Sequence, residues 1–327
     1  MLTLRKPSRA LMPFRQAMLS DPATMAYNAP YAPPDGCLPF PEECWDEWLS
    51  HWTNAAPERF CAYLINDQGQ SVGEICWHNR GQDMGIVIKA EYRGRGYGRE
   101  GLRLLTEEAF RHAEITELRN TFEPDRPAAL TLHLREGFVP LREQDGLLTL
   151  RLTRERFEQK RRERFLRLVT DAMCDWDAGD PLRIHHFLKV HAFARQIGLS
   201  EGLDENTLFT LEVAALTHDI GIKPAEKQYG SCEGPLQERL GPPEAEAMLT
   251  GLGLPAPVIR RVSFLIGHHH TTQNVAGIDW QILLEADFLV NMIEGHSSAQ
   301  AIDAFRDKVF RTGEGKRLLQ WVRPQDE

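Results

Sequence analysis

Four segments in the second half of the chain carry histidines and aspartates that could bind a metal ion. The segments read RIHHFLKVHAF, LTHDIGIK, IGHHHT and EADFLVN, and they begin at residues 183, 216, 266 and 285. Helical spacing places one polar residue of each segment on the apolar stripe of its helix: His186, His218, His269 and Asp287. A buried ionised carboxylate is costly without a partner, so four such positions need a common cause. A divalent transition metal (Mn, Fe, Ni, Co or Zn) is the simplest cause, because these ions accept imidazole and carboxylate ligands together.

A glycine-rich loop in the first half of the chain could bind a phosphate group. The run from Arg93 to Gly98 reads RGRGYG, and it lies between an apolar strand-like segment and an amphipathic helix. Glycines allow the backbone to turn tightly and to approach a ligand. The free N–H groups at the start of the following helix attract an anion. This arrangement suits a pyrophosphate, and its simpler interpretation is an ordinary turn between a strand and a helix.

The loop pattern R-x-x-G-x-G after a strand resembles the acetyl-CoA-binding motif of the GCN5-related N-acetyltransferases (GNAT). A second match is the helix RPAALTLHLREGF at residues 126–138, and the resemblance extends over about residues 10–153. It implies an α/β fold with a mixed, mostly antiparallel sheet and flanking helices. It also implies that acetyl-CoA is the cofactor, with its pyrophosphate on the loop and its pantetheine arm along the preceding strand. The residues implied to bind the cofactor are Ile88, Arg93, Arg95, Gly96, Tyr97 and Gly98.

Two side chains are candidates for proton transfer in this domain. The acceptor amine must lose a proton to attack the thioester, and the departing thiolate must gain one. Asp83 begins the strand on which the family often has a carboxylate base, and its alternative is a solvated residue at a strand end. His133 replaces the tyrosine that often protonates the thiolate, and a histidine can also donate a proton. The alternative for His133 is a position facing solvent.

The order H…HD…H…D resembles the HD metal-dependent phosphohydrolases over about residues 160–327. The resemblance implies an all-α helical bundle with the metal ligands His186, His218, Asp219 and Asp287. Asp219 would also orient the attacking water. His269 and His270 match the additional histidines of dinuclear relatives. Those relatives have one more histidine, whose place Glu238 or Glu244 could take, so the number of ions stays open.

Composition and organisation predict two cytoplasmic domains. The 327 residues are 42% hydrophobic and 26% charged, which is typical of globular proteins. A formal net charge of −9 argues against general nucleic-acid binding. Six scattered cysteines indicate reduced thiols, and no apolar run is long enough to span a membrane. We predict a GNAT domain over residues 1–153, a charged linker helix over 154–170 and an HD domain over 171–327.

Together these features predict a bifunctional enzyme. The first domain would transfer acetyl from acetyl-CoA to a small-molecule or protein amine. The second would hydrolyse the phosphate ester of a metabolite or nucleotide with a bound metal. Two alternatives remain for the second domain: it regulates the acetyltransferase by binding a nucleotide or metal without turnover, or it performs di-iron oxidation. The oligomeric state is open, and a homo-oligomer is possible.

Overall fold

The computed structural model describes residues 1–295 and 297–323, which form two compact units. Unit 1 comprises Met1–Arg161 and unit 2 comprises Arg162–Glu327. The division falls inside one long helix, Arg154–Trp176, whose first part is the stretch that the sequence predicts as a charged linker helix.

Unit 1 is α/β with flanking helices, as the sequence predicts, but its strands form two antiparallel sheets and not one mixed sheet. The strands are β1 (Thr3–Arg5), β2 (Phe60–Ile65), β3 (Ser71–His78), β4 (Asp83–Ile88), β5 (Glu117–Phe122), β6 (Val139–Gln144) and β7 (Leu147–Thr153). The first sheet has the order β1-β2-β3-β4, and the second has the order β5-β7-β6. The helices are α1 (Met12–Leu19), α2 (Pro22–Met25), α3 (Trp45–Trp52), α4 (Tyr97–Ala109) and α5 (Pro127–Arg135).

The core of unit 1 lies between α4 and the sheets. Leu102 and Leu105 of α4 are fully buried, and they belong to one apolar cluster with Ile75 and Trp77 of β3 and Leu150 of β7. These positions follow helical spacing on α4 and alternation on β3, which are the patterns that half-buried elements require. The short elements β1, α1 and α2 are absent from the sequence prediction, because none of them is long enough to show a clear period.

Unit 2 is helical in its described part. Its helices are α6 (Arg154–Trp176), which begins in unit 1, α7 (Pro181–Ser200), α8 (Glu205–Thr217), α9 (Ile222–Tyr229), α10 (Gly234–Gly251), α11 (Ala256–Ile266), α12 (Ile278–Glu294), α13 (Ala299–Val309) and α14 (Gly313–Val322). The N-terminus of α7 is capped by Asp180, whose side chain accepts from the amide of Arg183, and Pro181 occupies the first turn. No helix in this described part, or in unit 1, is both long and apolar enough to cross a membrane.

The sequence pattern predicts helices over 205–220 and 243–251, and the structure changes one end of each. The first helix ends at Thr217, so the pair His218-Asp219 lies in the turn before α9. The helix predicted from residue 243 begins at Gly234 and continues through Pro242 and Pro243. The reason is close packing of two helices, since a Cβ on Gly221 would lie 2.6 Å from the carbonyl oxygen of Gln237. This tertiary contact outweighs the local tendency of proline to end a helix.

Candidate functional sites in the two units

The loop between β4 and α4 presents a row of unpaired backbone amides. Gly94 and Gly96 have φ values of 77° and 82°, a left-handed conformation that favours glycine. Within the described residues, the N–H groups of positions 94–98 donate to no protein acceptor. A Cβ added at Gly94 or Gly96 would meet no atom within 4 Å, so the loop faces open space. Such a nest at a helix N-terminus can hold the two phosphates of a pyrophosphate.

The side chain of Arg93 has a structural role in this loop, because it bonds backbone carbonyls. Its guanidinium donates to the carbonyl oxygens of Ile88 at 3.1 Å, Ala23 at 3.1 Å and Thr24 at 2.7 Å. It therefore holds α2 against the end of β4, which leaves phosphate binding to the amides. Arg95 is exposed and donates to the carbonyl oxygen of Glu91 at 3.3 Å, so its side chain is the more available of the two for an anion.

The end of β4 offers a free edge for an extended ligand. Ile88 pairs with Gly73 of β3 on one side. On the other side lies β5, which belongs to the second sheet, so the described strands form no ladder between β4 and β5. Backbone groups on such an open edge can bond the amides of a pantetheine arm, in the way a peptide adds to a sheet.

His133 lies in the core of unit 1 with both ring nitrogens bonded. Its side chain is 1% exposed, between the rings of Phe122 and Phe138. Nδ1 lies 2.8 Å from the carbonyl oxygen of Ala129 and must donate to it, so Nε2 accepts from the amide of Asn120 at 2.9 Å. Burial lowers the pKa of His133, which favours the neutral ring. The general-acid role stays a prediction, and this environment favours a structural role instead.

Asp83 is exposed at the first position of β4. It lies opposite His78 of β3. At about 3.3 Å per residue, it is about 16 Å along the strand from Ile88, the end of β4 that lies next to the glycine-rich loop. The role of Asp83 as a base also stays a prediction.

Glu74 is a buried carboxylate that the sequence reasoning missed. Strand register pairs it with Val87, one residue before Ile88, and with Tyr63 of β2. It forms an ion pair with Arg15 of α1. The hydroxyl of Tyr63 is buried and has no hydrogen-bond partner among the described residues. The available signal was the single charged residue of the strand segment VGEICW.

In unit 2, three buried histidines each direct Nε2 toward the carboxylate of Asp219. Each donates its Nδ1–H to an oxygen that can only accept: His186 to the carboxylate of Glu294 at 2.9 Å, His218 to the carbonyl of Ala215 at 2.9 Å and His269 to the carbonyl of Ile266 at 2.7 Å. Each Nε2 is then left with a lone pair. These are imidazole tautomers prepared for a metal ion.

The distances among these groups are those of ligands that share one ion. Nε2 of His186 lies 3.2 Å from Nε2 of His218, 3.1 Å from Oδ1 of Asp287 and 3.4 Å from Oδ2 of Asp219. Ligand atoms placed about 2.1 Å from an ion in tetrahedral or octahedral geometry lie about 3.0–3.4 Å apart. Two facing nitrogen lone pairs repel each other unless a cation or proton lies between them. The donor set therefore fits a divalent transition metal.

His269 and His270 lie on the other side of Asp219. Nε2 of His269 is buried, has no hydrogen-bond partner among the described residues, and lies 3.5 Å from Oδ1 of Asp219. The rings of His269 and His270 are 4.0 Å apart. The backbone amide of His270 donates to Glu238 at 3.0 Å, so Glu238 is the carboxylate that the fold brings to this side. Asp219 thus faces both groups of histidines, with Oδ2 near His186 and His218 and Oδ1 near His269.

The electrostatics of this cluster reflect a site built for a positive charge. Burial by itself lowers the pKa of His186, but Asp287 and Asp219 outweigh it and raise that pKa to about 9. Burial by itself raises the pKa of Asp219, but His218 and His269 lower it to about 2. The pKa of Asp287 lies well below its usual range, because His186 and His218 outweigh its burial. In the absence of a metal, a proton supplies the charge that these carboxylates require.

Solved structures that are similar to about half of the chain include a Vibrio cholerae enzyme and a chimera. Spermidine N-acetyltransferase from Vibrio cholerae, in complex with CoA and spermine, is 16% identical with a TM-score of 0.40, and the match covers 48% of this chain and 98% of that one. A chimera of the Vibrio cholerae enzyme SpeG and hSSAT is 15% identical with a TM-score of 0.38, over 48% and 98%. No curated protein is significantly similar in sequence. Residues 1–139 match the family described as Acetyltransferase (GNAT) domain. The N-terminal unit of this chain is therefore an acetyltransferase domain of the GNAT family.

Proposed function

We propose that unit 1 transfers an acetyl group from acetyl-CoA to an amine. The row of unpaired amides at positions 94–98 is the observation that supports this most directly, because it matches the two adjacent phosphates of the cofactor. The open edge of β4 beside Ile88 would pair with the pantetheine arm. The thioester, at the end of the arm opposite the pyrophosphate, would then lie beside β4, away from the glycine-rich loop.

Glu74 is the carboxylate that we propose for the acceptor amine. An amine attacks a thioester only as the neutral base, so a carboxylate near the carbonyl carbon can accept its proton. The register pairs Glu74 with Val87 of β4, the strand that the pantetheine arm would follow, and Glu74 is buried, whereas Asp83 is exposed at the start of that strand. In this proposal Arg15 neutralises Glu74 before the amine enters. The thiolate takes its proton from solvent, since both nitrogens of His133 are engaged.

An acetyl-transfer assay tests this proposal. The full chain is mixed with acetyl-CoA and a panel of amines, and the free thiol of CoA is measured. Spermidine, which is named with the similar solved structures, is a suitable first acceptor beside short peptides and other small amines. Thiol release that depends on an amine supports transfer. Failure of acetyl-CoA to bind in calorimetry would contradict the cofactor assignment.

We propose that unit 2 binds a divalent transition metal and hydrolyses a phosphate ester of a metabolite or nucleotide. The Nε2 lone pairs of His186 and His218 and the carboxylates of Asp219 and Asp287 support the metal, and the order of the histidines and aspartates resembles the HD phosphohydrolases. His186, His218, Asp219 and Asp287 would hold the first ion, and His269 and His270 would join Asp219 around a second. A divalent ion in this position would lower the pKa of bound water and polarise a phosphoryl oxygen. Asp219 would also orient the water for attack.

Metal analysis and two activity assays separate the alternatives for unit 2. Elemental analysis of the dialysed full chain gives metal per chain. Release of p-nitrophenol from p-nitrophenyl phosphate and its diester measures phosphate-ester hydrolysis. Bound metal with hydrolysis supports the proposal, and bound metal without it supports a regulatory unit. Dioxygen consumption by the iron-loaded protein would support oxidation instead.

A further inference from the structure

Glu294 contacts the imidazole of His186 on the side opposite the metal cluster. Its Oε2 accepts from Nδ1 of His186 at 2.9 Å, and its Oε1 accepts from Nζ of Lys189 at 2.7 Å. The two partners of the first bond are 108 residues apart in the chain. The side chain of Glu294 is 34% exposed, whereas that of His186 is 10% exposed, so the bond lies at the rim of the cluster. This contact has no part in the proposed chemistry above.

His186 differs from the other two histidines in what fixes its ring. His218 and His269 follow the ends of their helices, where free carbonyl oxygens of the same turn accept Nδ1–H. His186 lies inside α7, where the preceding carbonyls are already bonded within the helix. Its Nδ1–H therefore needs an acceptor from another element. Glu294 supplies that acceptor from the last turn of α12.

We propose that Glu294 is a positioning residue that orients His186 for metal binding and strengthens its Nε2 as a donor. This inference rests on the metal site proposed above. A carboxylate behind a metal-binding histidine fixes the tautomer and raises the basicity of the far nitrogen. The other ligand on α12, Asp287, lies two helical turns earlier, so one helix supplies both a ligand and the support of another. Lys189 holds the second oxygen and keeps the carboxylate aimed at the ring.

The test is the affinity of the full chain for Mn²⁺, measured by calorimetry on the metal-free wild type and on three variants. Glu294→Ala removes the acceptor, and we expect its Kd to rise about 10- to 100-fold. Glu294→Gln keeps a neutral acceptor of the same shape, and its Kd for Mn²⁺ should rise several-fold. The matched control is Glu246→Gln, which neutralises an exposed carboxylate on α10 and should bind as the wild type does. The absorption spectrum of bound Co²⁺ should change in the Ala variant and not in the control.

The outcomes separate this inference from the proposed metal site. An Ala variant that binds Mn²⁺ as tightly as the wild type, with the same Co²⁺ spectrum, would overturn the role of Glu294 and leave the metal site standing. A wild type that binds neither ion would overturn both. Circular dichroism of the metal-free proteins checks folding. If the Ala variant is unfolded, the Gln variant decides, and an unchanged Kd there would also overturn the role.

Discussion

At the scale of single residues, hydrogen-bond partners decide what each histidine can do. His133 and His186 are both buried on helices, and both have a bonded Nδ1. Nε2 of His133 accepts from an amide, whereas Nε2 of His186 faces other lone pairs and carboxylates. The ring of His133 therefore has protein partners for both nitrogens, whereas Nε2 of His186 still needs a cation or a proton. Sequence spacing finds both as polar residues on helices, but it cannot separate them because their partners come from distant segments.

The His133 environment predicts an effect on stability and its pH dependence. His133→Phe leaves the amide of Asn120 without its partner, and we expect unit 1 to lose about 1–3 kcal/mol at pH 7.5. Burial lowers the folded-state pKa, so the stabilisation by wild-type His133 is complete above its unfolded pKa of about 6.5 and is lost as the pH falls toward the folded value. The wild type should therefore lose stability between pH 7.5 and 5.5 more than the variant does. Urea unfolding of both proteins at the two pH values measures this, and acetyl transfer per folded molecule should be unchanged. A large loss of turnover with unchanged stability would restore the general-acid role.

Glu74 and Asp83 give a paired test of the acetyl-transfer site. Glu74→Gln should lower kcat/KM for the amine about 100-fold or more, because it removes the proposed proton acceptor. Asp83→Asn changes an exposed carboxylate on the neighbouring strand and should stay within about twofold of the wild type.

The Glu74 variant needs a folding control, since it leaves Arg15 unpaired and a broken buried ion pair can cost about 3–5 kcal/mol. Unchanged affinity for acetyl-CoA shows that the fold is intact. The opposite ranking of the two variants would return the base to Asp83.

At the scale of elements, local patterns predict helices and strands well and their ends less well. The strands β2 to β5 and the helices α4, α5 and α7 follow clear apolar periods, so the sequence predicts them. The start of α10 cannot be predicted from the local sequence, because Pro242 and Pro243 lie inside the helix and Gly241 packs near Gly221 of a separate segment. The roles proposed for the carboxylates of Glu74 and Glu294 could not be predicted from the sequence either. Their importance depends on strand register and on helix pairing across 108 residues.

The loop between β4 and α4 gives the prediction at this scale. Gly96→Glu adds strain at a left-handed position and a negative charge beside the amides, so acetyl-CoA affinity should fall at least 10-fold. Gly146→Glu is the matched control, because Gly146 has a φ of 76° in the turn between β6 and β7 and also has no atom within 4 Å of an added Cβ. The Gly146→Glu variant has the same backbone strain at a position outside the loop, and it should bind acetyl-CoA as the wild type does. Calorimetry compares the three proteins. Equal affinity in wild type and Gly96→Glu would exclude this loop as the pyrophosphate site.

At the scale of the whole molecule, each unit has an apolar core of its own. The core of unit 1 forms between α4 and the sheets, and that of unit 2 forms among helices that include α7, α8 and α12. The change from mixed to helical character near residues 150–165 is visible in the sequence, and the division at Arg161 falls within it. Separate cores predict that a change at one site leaves the chemistry of the other unit intact.

Asp219 tests that independence and the metal site together. Asp219→Ala removes the carboxylate that faces both groups of histidines, so we expect loss of bound metal and of any phosphate-ester hydrolysis. A ligand present at 100 times its Kd stabilises the folded state by about 2.7 kcal/mol, and chelation of the wild type should remove a stabilisation of this order from unit 2 alone. The variant should show no such response to chelator, and its acetyl transfer should equal that of the wild type.

His269→Ala decides between one ion and two. His269 faces Asp219 from the side away from His186, and its buried Nε2 has no protein hydrogen-bond partner among the described residues. If two ions are bound, the variant should lose about one metal equivalent per chain and keep the other, because His186, His218 and Asp287 are untouched. If one ion is bound among those three and Asp219, the metal content should not change. Elemental analysis after dialysis measures metal per chain for the wild type, His269→Ala and Asp219→Ala. A wild type that carries no transition metal after expression in metal-replete medium would contradict the proposal for unit 2, and the acetyltransferase assignment of unit 1 would stand.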